Sequence, residues 1–185
     1  MNLTKSVITL ILILSMTVFS GCGYSFRADG RPVGMEIKSL AIPMIESSSS
    51  EKGFEADFTT VLRNEFISHA LVPLENKDQA SMILRVQVYE VITQPLTYDS
   101  SQSMVSGRNI IHETTSSRRL ILRLNASLID STDGKTVWND SSMTEEASFN
   151  VTSDPLVNRK NQREALLKIA RLLSERMYNR TMERF

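Results

Sequence analysis

The sequence predicts an α+β fold, a two-layer sandwich in which two helices pack on one face of a mostly antiparallel four-stranded sheet, in the order β-α-β-β-β-α. Two segments with apolar residues at every second position predict long strands. Two others, with apolar residues recurring every three or four positions, predict the helices. A sheet and a pair of helices that each have one apolar face bury all three by stacking in two layers.

The first strand is expected at Ile37-Lys38-Ser39-Leu40-Ala41-Ile42, an apolar-rich run stopped by Pro43. From Gly53 to Ala70, residues Phe54, Phe58, Val61, Leu62 and Phe66 form one helical stripe. Met82, Leu84, Val86 and Val88 then alternate with Ile83, Arg85, Gln87 and Tyr89, and Leu120, Leu122, Leu124, Ala126 and Leu128 alternate with Arg119, Ile121, Arg123, Asn125 and Ser127. These are two strands with one buried face each, and Arg85, Gln87, Arg119, Arg123 and Asn125 belong to the polar, basic face opposite. Between them the segment 93–117 is rich in Ser and Thr. It reads either as a long functional loop or as the same strands continued outward into a polar hairpin, and it protrudes in both cases. Asp133-Gly134 predicts a tight hairpin turn into a fourth strand over about 135–149, with poor alternation at 139–142. Asn161 is expected to open the last helix, whose apolar face carries Leu166, Ile169, Ala170, Leu173 and Met177.

Lys and Arg number 21, as do Asp and Glu, so no overall field marks a nucleic-acid binder. Met1 to Lys5 is weakly basic, and the run from Val7 to Phe19 is apolar. That run is roughly 13 residues, short of the roughly 20 that a permanent membrane helix needs, so residues 1–21 read as a removable signal peptide. It ends in Phe19-Ser20-Gly21-Cys22, which resembles the lipobox of bacterial lipoproteins, with Phe in place of the usual Leu. Cys22 is the single cysteine of the chain. It cannot close a disulfide, and as a thiol it is the group to which diacylglycerol would be attached, so lipidation at Cys22 and anchoring through acyl chains are expected. Gly23 follows where Asp would signal inner-membrane retention, and by that sorting rule the address resembles the outer membrane. Residues 22–35, with Gly23, Gly30, Gly34 and Pro32, read as a tether to a single domain over 36–185.

Little points to bond-making chemistry. Gly134-Lys135-Thr136 lacks the earlier glycine of a phosphate-binding loop, since Ile129 stands there. His69 and His112 have no neighbouring ligands at metal spacing. No Gly-x-Ser-x-Gly turn is present. Glu145-Glu146 and Glu55/Asp57 read as solvated charges, and Trp138 and Tyr89 as packing residues or partner contacts. Neither enzymatic activity nor a cofactor or metal is expected. The candidates for binding are basic: Arg118, Arg119 and Arg123, with Arg159 and Lys160 before the last helix. Guanidinium groups hold phosphate or carboxylate bidentately, although the same residues also suit a solvated sheet face and loop.

Cys22-Gly23-Tyr24-Ser25-Phe26, the Ser39-Leu40-Ala41-Ile42-Pro43 strand, the helix from Gly53, the Asp130-Ser131-Thr132-Asp133-Gly134-Lys135 turn and Asn161 together resemble the LPS-assembly lipoprotein LptE family, over nearly all of the chain after Cys22. The resemblance implies an outer-membrane lipoprotein that sits inside an LptD-type β-barrel as a plug and binds lipopolysaccharide non-covalently. It points to Arg159 as a lipopolysaccharide contact. Arg108, Arg118 and Arg119 are candidates for a second one near the central hairpin, and Gln162 departs from the acidic residue usual after Asn161. The competing reading is a periplasm-facing lipoprotein scaffold for cell-envelope or secretion components.

Overall fold

The computed structural model describes residues 37–69, 71–105 and 108–182. The elements run β1 (Leu40–Ala41), β2 (Glu46–Ser47), α1 (Glu55–His69), β3 (Met82–Val105), β4 (Arg108–Asp130), β5 (Thr136–Asn150) and α2 (Pro155–Met182). The architecture is α+β, with a five-stranded sheet in place of four strands. β1, β3, β4 and β5 lie side by side, and β2 also pairs with β3. The β3–β4 and β4–β5 pairings are antiparallel, whereas β1 and β2 run parallel to β3.

The single first strand expected at 37–42 is divided, and Pro43 explains the division. Proline donates no backbone hydrogen bond, so the ladder lapses around it. Between the pairs Ala41↔Ile83 and Glu46↔Gln87, the outer chain uses one residue more than β3 does. The backbone groups freed there are satisfied from α1. Ile45 N donates to Thr59 Oγ1 at 2.9 Å, and Arg63 donates to Ile42 O through Nε at 2.9 Å and a terminal nitrogen at 2.6 Å. A sequence-local defect thereby becomes the joint between sheet edge and helix.

The predicted alternation is realised along both long strands. Leu84 and Val88 in β3 and Leu120, Leu122, Leu124, Ala126 and Leu128 in β4 are almost wholly buried. They form one hydrophobic cluster with Phe54, Phe58, Leu62 and Phe66 of the first helical stripe and Ala165, Leu166, Ile169, Leu173 and Met177 of the second. The helices lock together by edge-to-face packing of Phe66 on Tyr178 (5.2 Å between ring centroids), by His69 stacked on Tyr178 at 4.1 Å, and by an Arg163–Asp57 ion pair at 2.7 Å. His69 is thus half-exposed at the end of α1, where it also faces Glu65 at 3.3 Å.

Leu124 sits at the centre of this cluster, fully buried. Leu124→Ala is expected to lower unfolding free energy by about 2–5 kcal/mol, the range for a truncated buried leucine. Urea denaturation checks this, with an unchanged slope showing that the denatured state is unaffected.

The weak alternation at 139–142 is a β-bulge. Leu124 pairs with Met143 but Ala126 with Asp140, so β5 inserts an extra residue opposite Asn125. The bulge keeps Trp138 and Met143 both facing the core although five positions separate them. The turn before β5, expected as a tight hairpin at Asp133-Gly134, is longer than those two residues. It spans 131–135 and is held by Asp130 Oδ1 accepting from Thr132 N (2.7 Å) and Asp133 Oδ1 accepting from Lys135 N (2.9 Å). Gly134, at φ +71°, turns the chain back.

α2 starts six residues before the expected Asn161. Asp154 caps it, Oδ1 accepting from Leu156 N at 2.8 Å, and Pro155 stands in the first turn, where its missing N–H costs nothing. Asn161 lies inside the helix and donates from Nδ2 to Asn150 O at 2.9 Å, tying α2 to the end of β5. Asp154→Ala is expected to cost about 1 kcal/mol, the usual loss on removing a helix cap, measured by the shift in urea midpoint.

The segment 93–117 is a hairpin: β3 and β4 remain paired to Val105↔Arg108. Since β5 ends opposite Ser117, the ribbon projects beyond the third strand of the sheet.

Candidate functional site

Adjacent residues on a strand point to opposite faces, and this divides the basic cluster on β4. Arg119 and Arg123 share the sheet face away from the helices, as their spacing predicts. Each has a carboxylate partner there: Arg123 meets Glu90 at 2.6 Å and Arg119 meets Glu146 at 3.6 Å. Their charge is locally balanced. A bulge at Tyr89/Glu90 in β3 sets Glu90 opposite Arg123.

Arg118 points the other way and meets Arg159, 41 positions along the chain, across an open groove of about 270 Å³. Phe149, Val151 and Pro155 give the groove apolar walls, and Asn158 and Gln162 add amide groups. It lies where the hairpin ribbon leaves the sandwich and where α2 begins, so the positive end of a 28-residue helix faces it. Among the described residues, neither Arg118 nor Arg159 has an ion-pair partner. Leu156, on the first turn of α2, is 73% exposed.

Arg159 also borders a second depression of about 360 Å³, lined by Lys52, Gly53, Asp57, Gln162 and Arg163 among others. There Arg163 is bound to Asp57, and Lys52 Nζ donates to Ser47 O at 2.8 Å. Arg159 thus borders both depressions.

The remaining candidates fall elsewhere. Lys160 turns about a quarter of the way round the helix from Arg159 and approaches Glu164 at 3.8 Å. Arg108 pairs in register with Val105 at the far end of the ribbon, and its side chain, like that of His112, lies outside the described residues, as do Cys22 and the whole tether. Glu145 and Glu146 diverge onto opposite faces, to Arg176 at 2.7 Å and to Arg119. Trp138 is a core residue, 2% exposed, with Arg180 over its ring. Among the described residues, no group of His, Cys, Asp and Glu is arranged to hold a metal ion.

Asn158 escaped notice in the sequence, and Gln162 figured there only as a departure from the family pattern. The signal that reveals them is Asp154-Pro155: a helix capped there puts Asn158, Arg159 and Gln162 on one side of its opening turns, at three- and four-residue spacing.

No family model matches the chain, and no curated protein does. Solved structures do share its fold. An uncharacterized lipoprotein B from Nitrosomonas europaea aligns with 86% of this chain and 90% of its own, at 11% identity and a TM-score of 0.50. A protein from Xanthomonas campestris aligns over 78% and 84% at 10% identity and 0.49. A minor lipoprotein from Acinetobacter baumannii aligns over 80% and 96% at 16% identity and 0.45. At these identities the likeness is one of fold alone, and the match to the Nitrosomonas lipoprotein carries it.

Proposed function

We propose that this chain is an outer-membrane lipoprotein, acylated on Cys22, that plugs an LptD-type β-barrel and holds lipopolysaccharide while it passes to the outer leaflet. The observation that carries the lipid-binding part is the Arg118–Arg159 groove. Two arginines without carboxylate partners among the described residues, amide donors and apolar walls suit an amphiphile whose head is anionic. The acyl anchor rests on the lipobox and its single cysteine.

The plug reading draws on the polar sheet face and the ribbon. A barrel lumen is polar and wet, so a plug contacts it through charged and hydroxylated surfaces. The open sheet face offers Arg85, Gln87 and the two arginine–glutamate pairs, and the ribbon is rich in Ser and Thr. No bond is made or broken. The protein positions and separates lipid molecules.

Depletion of the chain in its host tests this function. The expected result is cells leaky to large antibiotics and short of surface lipopolysaccharide. An intact permeability barrier after full depletion contradicts it.

A further inference from the structure

Arg159 and Gln162 line both the Arg118 groove and the depression of about 360 Å³ beside it, so the two form one trough around the opening turns of α2. That volume falls within the roughly 300–1,000 Å³ of small-ligand sites. The far wall of the depression comes from the loop before α1 and the first turn of that helix. Gly53 makes a left-handed turn there, at φ +92°, and its N–H donates to Glu55 Oε2 at 2.7 Å. The chain thereby brings Glu51 and Lys52, from before the glycine, and Asp57, from after it, to line one space.

The two halves of the trough differ in charge. No carboxylate lines the Arg118 half. In the other half Lys52 and Arg163 are matched by Glu51 and Asp57, so no formal charge is left over once Arg159 is counted with the groove. A second phosphate there would meet two carboxylates, whereas an uncharged polar group meets no repulsion.

The matched half still offers hydrogen-bonding capacity. Arg163 reaches Asp57 through Nε at 3.0 Å and a terminal nitrogen at 2.7 Å, and both contacts fall on Oδ2, so Oδ1 has no partner among the described residues. Glu51 accepts from Ser49 Oγ through its backbone carbonyl, and its carboxylate makes no ion pair among the described residues. Lys52 Nζ has spent one of its three donors on Ser47 O, and the Gln162 amide both donates and accepts. Acceptors and donors side by side without net charge suit hydroxyl groups, which do both at once. Phe54 and Leu166 add apolar lining for the C–H face of a ring.

We infer that this depression is a hydroxyl-binding subsite for a saccharide ring joined to the anionic group held by Arg118 and Arg159, so that the trough selects a phosphorylated glycolipid over a simple phospholipid. This rests on the groove reading. Arg159 makes the join: a bidentate phosphate uses two of the five N–H donors of a guanidinium and leaves others for the ring. An ethanolamine head suits the depression less well, since its ammonium would meet Lys52 and Arg163 and its few atoms would leave most of the space unfilled.

Displacement of fluorescent lipopolysaccharide from the full chain in detergent micelles tests the subsite, with unlabelled lipopolysaccharide, dioleoyl phosphatidate and dioleoyl phosphatidylethanolamine as competitors. In Glu51→Ala, lipopolysaccharide affinity is expected to fall about tenfold, the equivalent of about one hydrogen bond to a charged group. Affinity for phosphatidate, which has no ring to reach Glu51, is expected to stay within about twofold. The sign is diagnostic. Removing a carboxylate makes the surface more positive, so a Glu51 that merely repelled anionic lipid would, on removal, tighten the binding of both.

If E51A binds lipopolysaccharide as the wild type does, or shifts both lipids in the same direction, the subsite inference fails and the groove reading stands. If the wild type binds neither lipopolysaccharide nor phosphatidate, both fail. If phosphatidylethanolamine displaces the label as well as unlabelled lipopolysaccharide does, and E51A abolishes that, the subsite belongs to an ammonium head and the inference is overturned.

Discussion

Charge reversal at both groove arginines, R118E together with R159E, is expected to reduce lipopolysaccharide affinity by at least about a hundredfold. Each charge-assisted hydrogen bond contributes about 1.5–3 kcal/mol, and 1.4 kcal/mol is tenfold in affinity. Reversal adds repulsion to that loss. The fold should be unaffected, because neither residue makes an ion pair among the described residues and both line open space. Arg119→Ala and Arg123→Ala supply the contrast. These two arginines lie on the opposite sheet face beside Glu146 and Glu90, and exposed ion pairs contribute at most about 1 kcal/mol to stability. Each is expected to leave lipopolysaccharide affinity within about twofold. Titration of the purified proteins with fluorescent lipopolysaccharide at two salt concentrations gives both numbers, with wild-type binding weakening as salt screens the groove. Equal loss in all three variants would show a diffuse basic surface rather than a groove.

The second large effect is at Cys22. C22S is expected to abolish acylation altogether, because a serine hydroxyl cannot form the thioether to diacylglycerol. Metabolic labelling with palmitate reads this as presence or absence of label. In the wild type, two or three acyl chains at about 0.8 kcal/mol per buried methylene make the anchor effectively permanent, so detergent is needed to release it. Label retained in C22S would place the lipid elsewhere and end the lipoprotein reading.

How far the fold was legible depended on which physical signal each segment carried. The alternation from Met82 and from Leu120, and the stripe from Phe54 to Phe66, follow directly from which side chains leave water, and all became core except Val61, which is half-buried against it. Local chemistry that breaks such a pattern was harder to place. Pro43 marked an end to the first strand, yet the resumption at Glu46 depends on Thr59 and Arg63 reaching across from α1, a contact that is remote in sequence. The extra residue of the β5 bulge hid the alternation at 139–142. Asp154-Pro155 carried a helix start that the polar composition of 156–162 obscured, and the expected start at Asn161 passed over two exposed apolar residues, Leu156 and Val157, and the basic pair that follows.

The site shows the same division. Arg118 and Arg119 are neighbours in sequence but belong to opposite faces, and strand parity alone separates them. That Arg118 meets Arg159 is a tertiary fact, since it needs β4, β5 and α2 in register. Likewise, that Arg119 and Arg123 are balanced by Glu146 and Glu90 depends on strand pairing and on the bulge at Tyr89, neither of which periodicity specifies.

Purification of the full chain through a tag after Phe185, from membranes solubilised in mild detergent, tests the central claim most directly. Mass spectrometry of what comes with it is expected to find a large outer-membrane β-barrel at about one copy per chain, the stoichiometry of a plug in one lumen. Recovery of the chain alone, or with soluble periplasmic proteins and no barrel, would contradict the plug reading and leave a lipoprotein scaffold in its place.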